Sequence, residues 1–226
     1  MILAVAGTKG GVAKTTTTVA LGDELFVRGF RVLLVETDLD QGTLTTWRAV
    51  AKQNGLAVPQ VVSLGETIDD ELPSLARAFD HVLIDCPGKL DVVTNGALMV
   101  SHLALLPCSP AHSDAWGLEK TVKLVQKAQK YNKQLKATVV VTKKKPRTTL
   151  GKAAREVVSA SGFPTLTTEF TNRIAYEEFL GSGVGMTRYA PKDIAADEVR
   201  AAVDELFGKG LAPKPAKDSK KEKARG

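Results

Sequence analysis

Residues 6 to 18 read AGTKGGVAKTTTT, and they hold the side chains most suited to chemistry on an anion. Gly10 and Gly11 can take backbone angles closed to other residues and let the chain pass close to a ligand. The backbone N–H groups from Gly10 through Val12 and Ala13 to Thr15 can then converge on phosphate oxygens, helped by the start of a helix. Lys14 supplies a point charge for the β- and γ-phosphates of a nucleotide, Thr15 a hydroxyl for Mg²⁺, and Thr16 backs the α-phosphate. The usual phosphate loop is G-x-x-x-x-G-K-[ST]. Counted back from Lys14, its two glycine positions fall here on Thr8 and Ala13, and a second lysine, Lys9, precedes the real glycine pair. The methyl of Ala13 is expected to be tolerated, because the flexible pair lies earlier.

Two acidic stretches complete the chemistry. HVLIDCPG puts Asp85 at the end of an apolar run, where a carboxylate can hold Mg²⁺ directly or through water. LLVETDLDQGTLTTW offers Glu36, Asp38 and Asp40 within five residues. An acid there can orient an attacking water or reach the metal.

These groups need a scaffold that gathers loops distant in sequence. Apolar, β-rich runs occur at 2–6, 31–37, 81–86, 103–108 and 137–142, with weaker ones at 59–64 and 164–170. Several are continuously apolar, as parallel strands covered on both faces require. Helical patterns lie between them, among them 15–28 closed by Gly29, 66–78, 114–131 begun by Asp114, and 192–207 closed by Gly208. The alternation predicts a single-domain α/β fold, a mostly parallel sheet flanked by helices on both faces. Ligands of such sheets bind at the carboxyl ends of the strands. The loops after residues 6, 37, 86, 108 and 142 are therefore the ones to inspect.

The 226 residues fit one domain at 1–208 followed by a basic, uncollapsed tail at 209–226. That tail holds seven Lys/Arg and two acids, so it carries most of the formal charge of +6. Cys86 and Cys108 are too few for a disulfide framework or a cysteine metal site. No apolar run approaches the ~20 residues that cross a bilayer. The first residues enter an apolar strand without a basic leader, which predicts a cytoplasmic protein.

KGGVAKTT resembles the deviant Walker A motif, KGGxxK[ST], of the ParA/MinD ATPases, whose superfamily includes the nitrogenase iron protein and the arsenite-pump ATPase. The resemblance implies a P-loop NTPase using ATP and Mg²⁺, with weak intrinsic hydrolysis. It makes Lys9 the signature lysine, reaching across a homodimer to the partner's nucleotide as an arginine finger would. Asp85 becomes the Walker B acid. The second acidic motif, D-x-D-P-Q-G in the family, fits imperfectly: strand register selects Glu36 and Asp38, whereas the following Gln-Gly selects Asp38 and Asp40. Asp38 is acidic under both and is the expected catalytic and metal-reaching residue, with Asp40 in reserve. Where a guanine-reading loop has Asp, this chain has Lys145, so ATP is favoured over GTP. TNRIAYEEFLGSGVGMTRY resembles the C-terminal segment of small plasmid-partition ParA proteins, with Arg173 and Tyr176 in register.

That branch implies nucleoid-associated, non-specific DNA binding by the ATP dimer. Candidate contacts are Lys144, Lys145, Arg147, Lys152, Arg155 and Arg173; the stretch 143–155 holds six basic residues and no acid. The expected task is partition of plasmid or chromosome DNA, with hydrolysis stimulated by a ParB-like partner. Positioning a carboxysome or chemoreceptor cluster uses the same engine. A P-loop ligase or kinase of the dethiobiotin-synthetase type is the alternative from another class. The tail lacks the apolar face of a MinD-type membrane helix, so no membrane partner is expected.

Overall fold

Every residue of Ile2–Val5 and Val32–Glu36 is buried, because neighbouring residues of each strand pack into different cores. Leu3 and Val5 face one apolar cluster with Leu34, Leu83, Leu105 and Val140. Ile2, Ala4 and Ala6 face the other with Leu33, Val35 and Val82. This two-sided burial is why the strands read as continuous apolar runs rather than as alternation.

The computed structural model of the chain describes residues 1–89, 92–148, 155, 158, 159 and 161–209. Its elements are β1 (Ile2–Val5), α1 (Lys14–Val27), β2 (Val32–Glu36), α2 (Thr43–Gln53), β3 (Gln60–Ser63) and α3 (Ile68–Leu75). There follow β4 (His81–Asp85), α4 (Val92–Val100), β5 (Leu103–Cys108), α5 (His112–Tyr131) and β6 (Lys136–Val141). Short helical turns at Ala175–Glu178 and Met186–Tyr189 lead to a final helix, Ile194–Phe207.

The six strands form one sheet in the order β3-β2-β4-β1-β5-β6, and all five pairings are parallel. Val19, Leu21 and Leu25 of α1, Leu44 and Trp47 of α2 and Val199 and Val203 of the final helix cover one face. Leu72 of α3, Leu98 of α4 and Leu118, Val122 and Val125 of α5 cover the other. At Gly22 a methyl would stand 2.4 Å from Leu34 Cδ2, so only glycine lets α1 settle this closely on β2.

Strand order determines which loops meet. β4 lies between β2 and β1, with Glu36 opposite Asp85 and Val5 opposite Asp85. The loops after β1, β2 and β4 therefore emerge side by side from the carboxyl edge.

The expected fold is the observed one, with local differences. The weak candidate 59–64 is a strand, whereas 164–170 is not. It runs beside β6 with a single bridge, Val139 to Thr165, and backbone hydrogen bonds from Leu166 and Phe170. Helix α5 begins at His112, not at Asp114, because Asp114 is engaged elsewhere. Residues 210–226 of the expected tail lie outside the described residues.

Candidate nucleotide site

The phosphate loop leaves β1 at Ala6 and closes on α1. Gly11 takes φ 78°, and so does a residue that sequence reasoning cleared: Ala13 sits at φ 70°, ψ 33° as the N-cap of α1. The left-handed turn falls on the template-glycine position itself. The methyl thus carries strain of about 1 kcal/mol. Val12 turns its side chain into the core at 4% exposure, and its carbonyl accepts a hydrogen bond from Thr142 Oγ1 at 3.2 Å.

A cleft of about 540 Å³ opens over this loop, bordered by Gly10, Gly11, Ala13, Lys14, Thr15 and Thr16. Asp38, Asp85 and Gly88 close its acidic side. Thr15 Oγ1 donates to Asp85 Oδ2 at 2.6 Å, while the buried Asp85 Oδ1 has no hydrogen-bond partner among the described residues. Burial pushes the Asp85 carboxyl up to about 7, opposed by the Thr15 bond and the Lys14 charge. Burial also lowers the Lys14 pKa, opposed by Asp85, Cys86 and Asp38. Lys14 Nζ donates to the Lys9 carbonyl at 3.0 Å. An unpaired buried carboxylate oxygen beside a threonine hydroxyl and a lysine is the donor set that a divalent cation and phosphate would complete. A methyl on Gly88 would lie 3.5 Å from Gly10 N and 3.6 Å from Lys14 Nζ, filling the space above the loop.

The three clustered acids have separate surroundings. Glu36 is buried and caps α2, accepting from Leu44 N at 2.8 Å, Thr45 N at 3.2 Å and Thr45 Oγ1 at 2.6 Å. Asp40 is exposed and does not border the cleft, whereas Glu36 and Asp38 do.

Lys9 does not border the cleft. It forms an ion pair with Asp114 at the start of α5, and Ser109 donates to the same carboxylate. Asp114 lies 105 residues away, too distant for any local pattern to have revealed it.

The far end of the cleft is built from Thr142 and Lys143 after β6 and from Phe170 to Arg173. Tyr176 OH donates to Ala195 O at 3.1 Å and to Glu198 Oε2 at 3.0 Å, tying this segment to the final helix. Burial pushes the phenol pKa up, so it stays protonated and donating. Phe170 and Asn172 were not named as site residues from sequence: Phe170 carries no motif, and Asn172 lies in the C-terminal segment in which only Arg173 and Tyr176 were singled out.

The six candidate DNA contacts do not share one environment. Lys145 and Arg147 are exposed. Lys144 pairs with Glu169, and Arg155 Nε stands 2.8 Å from the same carboxylate. Arg173 borders the cleft and donates to Thr171 Oγ1 at 2.8 Å. Lys152 lies outside the described residues.

A parallel sheet carrying a lysine-threonine loop on its central strand and a carboxylate on the adjacent one defines a P-loop nucleotide-binding protein. The chain belongs to the family described as the CobQ/CobB/MinD/ParA nucleotide binding domain, which matches residues 3–178. It is 32% identical over 208 residues to maintenance of carboxysome distribution protein A of Halothiobacillus neapolitanus, covering 91% of this chain and 95% of that protein. It is 29% identical over 192 residues to the sporulation initiation inhibitor protein Soj of Bacillus subtilis, covering 66% of this chain and 75% of that protein. Among solved structures it resembles cobyrinic acid a,c-diamide synthase of Mycobacterium smegmatis with a bound ATP analogue and magnesium. The TM-score is 0.75 at 24% identity, covering 96% of this chain and 99% of that one. The family resemblance and the predicted fold are both borne out.

Proposed function

We propose that the chain is an ATPase whose ATP-bound form pairs with a second copy, holds DNA without regard to sequence and thereby positions a cargo. A ParB-like partner on the cargo stimulates hydrolysis and releases the pair. The observation that carries this reading is the convergence of Lys14, Thr15, Asp38 and Asp85 on one cleft, with the family's extra lysine just outside it. When bound, ATP supplies the phosphoanhydride bond and Mg²⁺ neutralises its charge. Lys14 and the loop N–H groups hold the phosphates, while Thr15 and Asp85 hold the metal, with Asp38 within its reach. Asp38, at the solvent side, also accepts a hydrogen bond from water and orients it.

Lys9 completes the site of the partner subunit, and to do so it leaves Asp114. The test is Lys9→Ala: ATP-analogue affinity should stay within a few-fold, while the ATP-dependent dimer seen by light scattering disappears. An unchanged dimer overturns the trans role.

The near-full-length similarity to a carboxysome distribution protein favours a protein body as cargo over a replicon. A microcompartment gene beside this one would agree; a small DNA-binding gene would return the reading to plasmid or chromosome partition. A metabolic ligase of the dethiobiotin-synthetase type predicts turnover raised by a small carboxylate substrate and indifferent to DNA with the cargo protein. With the residues above, the protein would work in the cytoplasm on the nucleoid surface.

A further inference from the structure

We propose that Glu169 is a built-in competitor for DNA phosphate, holding Lys144 and Arg155 in the free chain and setting how weakly the basic loop grips DNA. This rests on the DNA-binding reading above. The stretch 143–155 contains no acid, yet the fold brings one to it. Lys144 N donates to Phe170 O at 3.1 Å, and Asn172 N donates to Lys144 O at 2.8 Å. That pairing lays Lys144 along residues 170–172 and sets it beside Glu169, whose side chain is only 14% exposed. Arg155 closes from the other side, its Nε 2.8 Å from Glu169 Oε1, an ion-pair distance without the alignment of a hydrogen bond, and its Nη2 donating to Thr167 O at 2.6 Å.

One carboxylate therefore faces two cations that sequence reading assigned to DNA. A phosphate that takes either cation must displace Glu169. The exchange is feasible because Arg155 is 47% and Lys144 25% exposed. Lys145 and Arg147, both exposed, remain to make the first contact. The arrangement also adjoins the candidate nucleotide cleft: Lys143, next to Lys144, and Asn172, which donates to Lys144 O, both border it.

The experiment is fluorescence anisotropy of a mixed-sequence DNA duplex with the ATP-loaded full chain, titrated across salt concentrations. Each cation freed for phosphate steepens the salt slope by about 0.9, which is about eightfold in affinity near 0.1 M salt. Glu169→Gln should bind at least eightfold more tightly with a steeper slope. Glu119→Gln, which removes the same charge from a distant surface ion pair with Lys123, should change affinity less than twofold. If Glu169→Gln does not melt cooperatively, Glu169→Asp loosens both pairs while keeping the charge and should give a two- to threefold gain. Unchanged or weakened binding in both Glu169 variants, on top of firm wild-type binding, overturns the competitor role. No binding by the wild-type ATP form overturns the DNA reading itself, a result that the wild-type arm alone identifies.

Discussion

Carboxylates at 36, 38 and 40 have the same chemistry and three different uses, decided by what each side chain meets. Glu36 points back under the start of α2 and satisfies N–H groups that the helix cannot satisfy itself. Asp40 stands in solvent. Asp38 is half-buried at the cleft, in the same opening as Asp85 and Thr15. Its carboxylate thus borders the cleft rather than capping a helix, which is what the proposed water-orienting role requires. Asp38→Ala should lower ATP hydrolysis by about 100-fold or more while nucleotide affinity changes only a few-fold. Phosphate release and a fluorescent-nucleotide titration check the two halves. Wild-type turnover in Asp38→Ala, with a loss in Asp40→Ala, would move the role to Asp40.

At the scale of elements, the junction between β1 and α1 shows how far local sequence reaches. Lys14, Thr15 and the glycine pair were legible because a phosphate loop is a contiguous motif whose strand and helix can be read around it. The conformation of Ala13 was not, because the backbone angle at a helix start depends on the path of the whole loop. Three contacts were illegible for a related reason: Lys9 with Asp114, Lys144 with Glu169, and Glu36 with the start of α2. The first two join segments 105 and 25 residues apart that only the fold brings together, while Glu36 reaches α2 eight residues on only because the loop between them turns back. The strained junction yields a prediction. Ala13→Gly removes a left-handed alanine, and after the added freedom of the unfolded chain it should raise stability by up to about 0.5 kcal/mol. Denaturant midpoints at unchanged slope measure it, and a loss of stability would mean that residue 13 relaxes to negative φ in solution.

For the molecule as a whole, a parallel sheet separates stability from chemistry, since its carboxyl edge holds the site while its amino edge packs Met1 and Phe207 beside the start of β4. His81 begins β4 at that second edge, its ring packed edge-on against Phe30 at 4.8 Å and Phe207 at 4.9 Å. Burial pushes the imidazole down to about 4, with the nearby amino terminus adding to the effect and Asp80 opposing it. The folded chain therefore resists a proton that the unfolded chain accepts near pH 6.5. Stability is highest above pH 6.5, falls as the pH drops toward 4, and is not lost further to this group below that. After discounting for the solvent-facing part of the ring, the fall between pH 7 and pH 5 is roughly 1 kcal/mol. His81→Phe keeps an aromatic ring in the nest and removes the titration, so its urea midpoint should change less than the wild type's between those pH values. Nucleotide affinity at pH 7 should be equal in both, because the site lies at the opposite edge of the sheet. An identical pH dependence of stability in wild type and variant would mean that other groups cause the fall, and that His81 does not resist protonation in its aromatic nest.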